Sequence, residues 1–140
     1  MTDPAGPADA TAPYVHRVRV RYGEVDMQRV VFNAHYLAYC DDACESFVRA
    51  RGVRDAAPEF DFMLKKAVIE WSGSATVGDD LAIAVHVSRW GTSSFDVTFA
   101  GAVGERRVFT AVITYVAVKE GADPPVAVPV PGGVRTLLGP

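Results

Sequence analysis

No stretch of this chain approaches the roughly 20 consecutive apolar residues that a membrane-spanning helix needs, so no membrane span is expected. A basic excess is also missing. Lys and Arg number 14 against 17 Asp and Glu, a formal net charge of −3, whereas a nucleic-acid-binding domain carries a basic patch or stripe; no nucleic-acid partner is expected. Cysteine is scarce. Cys40 and Cys44 are the only two, too few for a disulfide scaffold or a structural zinc site. Four apart on the apolar side of a predicted helix, they read as buried thiols. The opening residues, MTDPAGPADATAP, lack the basic and apolar regions of a signal peptide, which makes a reducing cytoplasm the expected compartment. Nor is there a GxxxxGK[ST], a GxGxxG after a strand, an HExxH, a CxxC or a GxSxG, which removes the common nucleotide, zinc-protease and serine-hydrolase readings. No metal and no bound cofactor is expected.

What is present suits one globular domain: 140 residues, 49% of them hydrophobic and 22% charged, enough apolar material for a single core. Residues 1–13, rich in Pro, Ala, Asp and Gly, read as a mobile tail. From Tyr14 the chain alternates, with Val18, Val20 and Tyr22 on one face and Arg17, Arg19 and Arg21 on the other, the pattern of a half-buried strand. From Asn33 to about Arg51, the residues Tyr36, Tyr39, Cys40, Ala43, Cys44, Phe47 and Val48 recur in steps of three and four, a helical stripe. Asn33 suits an N-cap and Gly52 the position just past the C-terminus. At 1.5 Å per residue this helix is about 26 Å long.

Residues 53–65 read as irregular. Strands are then expected over Lys66–Ala75, Leu81–Ser88, Phe95–Ala100 and Val108–Val118, with turns between them; the last is almost wholly apolar and β-branched, as in a strand buried on both faces. From Gly121 the chain carries five of its nine prolines and reads as an exposed C-terminal segment, 121–140, beyond a single domain over 14–120. The class is α+β: about five antiparallel strands, one long helix to cover one face, and an edge or face left for a second copy.

The residues with chemical potential concentrate between the first strand and the helix. The run Tyr22-Gly-Glu-Val-Asp26-Met-Gln-Arg-Val-Val-Phe32-Asn33-Ala-His-Tyr36 brings an acid to the start of a helix, where unpaired N–H groups and the positive dipole end can hold a developing oxyanion. Asp26 is then a candidate nucleophile or general base, although an Asp just before a helix also serves as a turn or cap residue. The three histidines, His16, His35 and His86, are far apart in sequence; His16 and His86 fall in strands and read as solvated or packed. Ser93 and Ser94 sit at a turn with no local base.

The run from Asp26 to Tyr36 resembles the signature of hotdog-fold thioesterases of the 4-hydroxybenzoyl-CoA thioesterase type, which include the YbgC-like acyl-CoA thioesterases. The order of elements from Tyr14 to Val118 fits, and Val77-Gly78-Asp79-Asp80-Leu81 and Gly91-Thr92-Ser93-Ser94-Phe95 look like that family's recurring turns. The resemblance implies a hotdog fold, a sheet wrapped round a central helix, with two copies pairing into one continuous sheet and active sites at the dimer interface. It implies an acyl-CoA thioesterase in which Asp26 is the catalytic carboxylate and the backbone N–H of Asn33 polarises the thioester carbonyl. His35 and Tyr36 take positions that shape the site.

Two residues depart from the pattern: Arg29 stands where many members have Gly, and Asn33 where many YbgC-like members have His. Arg29 is a candidate for the acyl entrance. Arg89, Lys65, Lys66, Arg106 and Arg107 are candidates for the coenzyme A phosphates, and Ser93 is a further substrate-binding candidate. Phe32, Tyr36, Tyr39, Phe62 and Met63 are candidates for an apolar acyl slot. The expected partners are an acyl-CoA or acyl carrier protein thioester and further copies of the chain, as a homodimer or homotetramer. The alternatives are a non-catalytic acyl-binding hotdog module, a hotdog dehydratase or hydratase in which His35 would serve, and a cone-shaped ligand-binding α+β domain, which usually opens with helices rather than a strand.

Overall fold

A computed structural model describes residues 13–139; nearly all of the expected N-terminal tail lies outside the described residues. Five strands form one antiparallel sheet: β1 (Tyr14–Arg19), β2 (Phe60–Trp71), β3 (Asp80–Trp90), β4 (Ser94–Val103) and β5 (Arg106–Lys119), in the spatial order β1-β3-β4-β5-β2. The connections from β3 to β5 are short turns, so these strands pair as a meander, while β1 and β2 take the two edges. The long helix α1 (Asn33–Ala50) lies against one face.

The expected helical stripe is the buried one: Tyr36, Tyr39, Cys40, Ala43, Cys44, Phe47 and Val48 all enter the core. They meet the inward residues of the sheet, among them Leu81, Ile83, Val85, Phe95, Phe99, Ala111 and Ile113. Each large side chain fully buried here contributes about 1.5–3 kcal/mol of transfer free energy. Gly52 follows the helix with φ 76°, the left-handed conformation that ends helices without a Cβ clash. Both cysteines are free and buried, and burial pushes each thiol up to about 12.

The structure corrects four sequence expectations. Tyr22 is not an inward strand residue: β1 ends at Arg19, and Tyr22 opens a 3-10 turn, Tyr22–Glu24, and is 84% exposed. The irregular stretch 53–65 is a short helix, α2 (Val53–Ala56), followed by the first half of β2, whose Phe60 and Phe62 pack with Phe95. A register shift between Leu64 and Lys66 breaks the alternation there, as a bulge does. Strand β5 is buried on one face only, because Thr110 and Val112 on the other side are exposed.

The C-terminal segment is not simply exposed. It returns along the sheet end, where Val128 N–H donates to the Ala117 carbonyl at 2.9 Å and Val130 N–H to that of Thr92 at 2.9 Å. It then forms α3 (Gly132–Leu138), which buries Val134 and Leu138. Arg135 stacks over Trp90, whose Nε1–H donates to the Gly139 carbonyl.

Candidate active site

The loop between the 3-10 turn and α1 folds back as a small hairpin. Val25 bridges Val31, the Asp26 N–H donates to the Val30 carbonyl at 2.9 Å, and the Arg29 N–H donates to the Asp26 carbonyl at 2.9 Å. The Asp26 Oδ1 accepts the Gln28 N–H at 2.8 Å, the side-chain turn that Asp readily makes. Among the described residues its Oδ2 has no hydrogen-bond partner. One oxygen of Asp26 thus holds the loop, and the other is unclaimed.

The hairpin is anchored on both sides. Phe32 N–H donates to the Glu24 carbonyl at 3.0 Å, Val31 N–H to the Ala75 carbonyl at 2.9 Å, and Thr76 Oγ1 to the Arg29 carbonyl at 2.6 Å. Ala75 is held in turn by donating its N–H to the Tyr36 hydroxyl at 3.2 Å. Tyr36 is 2% exposed and packs against Trp71 and Phe109; the structure makes it a core residue that positions the loop's anchor rather than a wall of a ligand slot. Burial raises its phenol above the usual value, so it stays protonated at neutral pH.

Glu24, which sequence reasoning passed over, is the electrostatic centre of this end. It is buried, yet its carboxylate accepts the Arg21 N–H at 2.8 Å, the Arg21 guanidinium at 2.9 Å and the Tyr39 hydroxyl at 2.9 Å. Burial alone would raise its carboxyl, but the Arg21 and Tyr39 bonds outweigh that and hold it below the usual range. A signal was available: Tyr39 sits on the apolar stripe of α1, and a buried Tyr hydroxyl needs a partner.

At the helix start the structure shifts the expectation by one residue. Phe32, extended at φ −64° and ψ 136°, is the N-cap, and no side chain caps it; Asn33 is the first helical residue. Its N–H lies ahead of any intrahelical acceptor, and among the described residues it has no backbone partner. An uncapped first turn leaves its donors available to a ligand oxygen.

The remaining candidates separate. Asp26 and Arg29 line one open cleft of about 730 Å³, with Tyr22, Val25, Met27 and Val77. His35 instead lines a larger cleft of about 910 Å³ between β1 and α1, with His16, Glu24 and Asp42. His16 Nε2 lies 3.0 Å from Asp42 Oδ2. That larger cleft does not include Asp26, so His35 and Asp26 line different clefts, and the carboxylates that share the cleft of His35 are Glu24 and Asp42. The exposed ring of Phe32 contacts His35 edge-on at 6.2 Å. Tyr39 and Phe62 belong to the core cluster, and Met63 is exposed on the opposite face of the sheet. Arg106 and Arg107 begin β5 at the sheet end that carries the loop, and Arg106 reaches Asp79 at 3.3 Å. Lys65 and Lys66 lie mid-way along edge strand β2. Arg89 and Ser93 sit at the opposite end of β3, roughly 30 Å away along the strand at about 3.3 Å per residue. There Arg89 is paired with Asp96 at 2.9 Å, and the Ser93 carbonyl accepts the Ala117 N–H. Within one chain, neither belongs to the Asp26 cleft.

Residues 20–135 match the family described as the thioesterase-like superfamily. The chain belongs to the thioesterase-like superfamily. Thioester hydrolysis is the enzymatic class that this membership carries, in agreement with the loop motif. A comparison with curated proteins by sequence returned no match. Among solved structures, a hypothetical protein from Aquifex aeolicus is 22% identical with a TM-score of 0.80, the match covering 91% of this chain and 100% of that one. A 1,4-dihydroxy-2-naphthoyl-CoA thioesterase from Synechocystis is 18% identical with a TM-score of 0.76, covering 91% and 96%. A mutant 4-hydroxybenzoyl CoA thioesterase complexed with 4-hydroxybenzoyl CoA is 15% identical with a TM-score of 0.80, covering 91% and 99%. These likenesses establish the shared fold: this member of the superfamily is a hotdog, with the five-stranded sheet and long helix expected.

One feature of this thioesterase-like chain is unusual in conformational terms. Arg29 has φ 66° and is the only non-glycine residue with positive φ among the described residues. A left-handed backbone costs an L-residue roughly 1–2 kcal/mol, and glycine escapes that cost but loses about 0.4–1 kcal/mol through its freer unfolded chain. Arg29→Gly is therefore expected to stabilise the protein by roughly 0.5–1 kcal/mol, and Arg29→Ala, which keeps the strain, to leave stability nearly unchanged. Urea midpoints of the two variants check this.

Proposed function

We propose that this protein is an acyl-CoA thioesterase that uses Asp26 as its carboxylate and the backbone N–H of Asn33 as the donor to the thioester carbonyl. The observation that carries this reading is the junction itself. An Asp with one unclaimed oxygen sits on a hairpin that runs directly into an uncapped helix N-terminus. As the carbonyl carbon is attacked, negative charge grows on its oxygen, and a fixed N–H at a helix start stabilises it; loss of one such donor typically costs a factor of about 10²–10³. Asp26 acts either by direct attack, giving a mixed anhydride that water then opens, or by taking a proton from an attacking water. Both routes consume one water and yield the free acid and coenzyme A thiol, and both need the ionised carboxylate. The names of the Synechocystis and 4-hydroxybenzoyl CoA enzymes support coenzyme A as the carrier. The protein itself supplies every group the reaction requires, so we assign it no cofactor. A cytoplasmic location, where coenzyme A thioesters occur, is part of the same proposal.

The unit that carries the site is proposed to be a homodimer paired along β2. That strand is a 12-residue edge, and its Met63, Leu64, Val68 and Trp71 are each 40–48% exposed. A long edge with so much apolar surface is ordinarily covered. Antiparallel pairing of two β2 edges brings the loop end of one chain against the opposite end of the other, the end from which Arg89 and Ser93 would have to act. Sedimentation equilibrium at micromolar concentration is expected to give twice the chain mass or more; a monomer with full activity refutes the dimer.

Incubation with a panel of aryl-, short- and long-acyl-CoAs and a thiol reagent tests the activity. Thiol release well above the uncatalysed rate is expected for at least one class. Binding without release from every member would identify an acyl-binding module instead.

A further inference from the structure

We infer that Arg29 is a specificity-determining residue that grips an anionic group of the substrate, a carboxylate or a phosphate, at the mouth of the Asp26 cleft. The inference rests on the reading of that cleft as the thioester site. Three observations meet at this residue. Its backbone is left-handed where only glycine would be free of strain, and strain of this kind gathers where function holds it in place. Its backbone is fully engaged, with the N–H on the Asp26 carbonyl and the carbonyl on Thr76 Oγ1, so the side chain's origin is fixed within the hairpin. Its guanidinium, by contrast, makes no hydrogen bond or ion pair among the described residues. Arg17, Arg21, Arg49, Arg54, Arg89 and Arg106 are each paired with a carboxylate; Arg19 and Arg107, like Arg29, are not, but of these unpaired arginines Arg29 alone lines the Asp26 cleft.

The surroundings define what the guanidinium would take. Besides Asp26 and Arg29, the cleft is lined by Tyr22, Val25, Met27 and Val77, an apolar wall carrying one acid and one base that do not pair with each other. A neutral acyl chain needs no cation there. An anionic ligand does, because it approaches the Asp26 carboxylate and meets like charge, which a guanidinium three residues away offsets. The planar fork of Arg matches carboxylate and phosphate oxygens two at a time, which Lys does not.

The test measures binding, so it does not depend on turnover. Three thioether analogues that cannot be hydrolysed are titrated calorimetrically into wild type, Arg29→Gln and Arg29→Lys: S-benzyl coenzyme A, S-benzyl pantetheine and S-(4-carboxybenzyl) pantetheine. Both variants keep a side chain on the left-handed backbone, so only the charge and its geometry change. If the anion is a coenzyme A phosphate, Arg29→Gln raises the Kd of S-benzyl coenzyme A on the order of 10-fold or more and leaves S-benzyl pantetheine unchanged. If it is an acyl carboxylate, the rise appears with S-(4-carboxybenzyl) pantetheine and not with S-benzyl coenzyme A. In either case Arg29→Lys falls between, and the difference shrinks with added salt. Equal Kd values for wild type and Arg29→Gln with all three analogues, or an equal rise that includes the anion-free S-benzyl pantetheine, overturn the inference. So does absence of binding to wild type. Hydrolysis of acyl-CoAs with a Kd indifferent to Arg29 sinks this inference and spares the thioesterase reading. A charge-selective Kd with no hydrolysis of any thioester does the reverse.

Discussion

Replacing Asp26 by Asn is expected to lower kcat at least about 100-fold, within the range of a general acid–base group, and to change KM much less. The substitution separates the two roles the side chain holds. An Asn carbonyl oxygen can still accept the Gln28 N–H that now meets Oδ1 at 2.8 Å, so the hairpin and its anchors to Glu24, Ala75 and Thr76 are kept. The amide is neither a base nor a useful nucleophile, so the chemistry is lost while the fold survives. Thermal unfolding alongside steady-state kinetics reads both. Asn33→Ala provides the contrast. Because Asn33 is the first helical residue and not the cap, its side chain is expendable and its N–H remains; both stability and turnover should stay close to wild type. Wild-type turnover in Asp26→Asn would reduce Asp26 to a turn residue and remove the site assignment.

Glu24→Ala is expected to cost about 2–3 kcal/mol of stability, because it strands the buried Tyr39 hydroxyl and frees Arg21, breaking charge-assisted bonds. Chemical denaturation gives the value directly. The pH dependence identifies the charge. The folded carboxyl of Glu24 titrates below its unfolded value of 4.5. Its ionised form therefore stabilises the fold fully above about pH 4.5, and that contribution is lost as pH falls through the lower folded value. The stability gap between wild type and Glu24→Gln should be constant from pH 7 down to about 5 and then close on further acidification. A gap that is flat down to pH 2 would show that the size and hydrogen bonding of residue 24, and not its charge, matter.

The helix was legible because its period is local: each of the seven residues on the expected stripe is buried, and Gly52 marks the end. Strands β3 and β4 were legible for the same reason, with strict alternation between turn residues. The failures share a different cause. The start of β2 was hidden by the bulge beside Lys65, which puts consecutive residues out of phase. The C-terminal helix was hidden by Pro129 and Pro131, although Val130, Val134 and Leu138 recur every four residues and all are buried. At the site, Asp26 could be found from the motif, since an acid beside a helix start is a property of neighbours in sequence. Glu24 was harder to find, because its importance comes from burial against a helix 15 residues away, and its one signal was a Tyr39 hydroxyl that needed some partner. That Arg89 lies at the far end of the sheet from Asp26 within one chain was also hidden, because spacing along a chain does not reveal which end of a sheet a residue reaches.

The doubly anchored hairpin separates what must be kept from what can vary. Its base is clamped through Val31, Phe32 and the Arg29 carbonyl, and the carboxylate is clamped through the Gln28 amide. On the hairpin's own side every clamp but the Asp26 carboxylate is a backbone atom, which any non-proline residue supplies, while Thr76 must keep its hydroxyl. Between them Met27 stands fully exposed, touching nothing that the hairpin depends on. The tip can therefore drift in evolution, or be randomised in a library, changing what greets an arriving substrate without disturbing the acid beneath it.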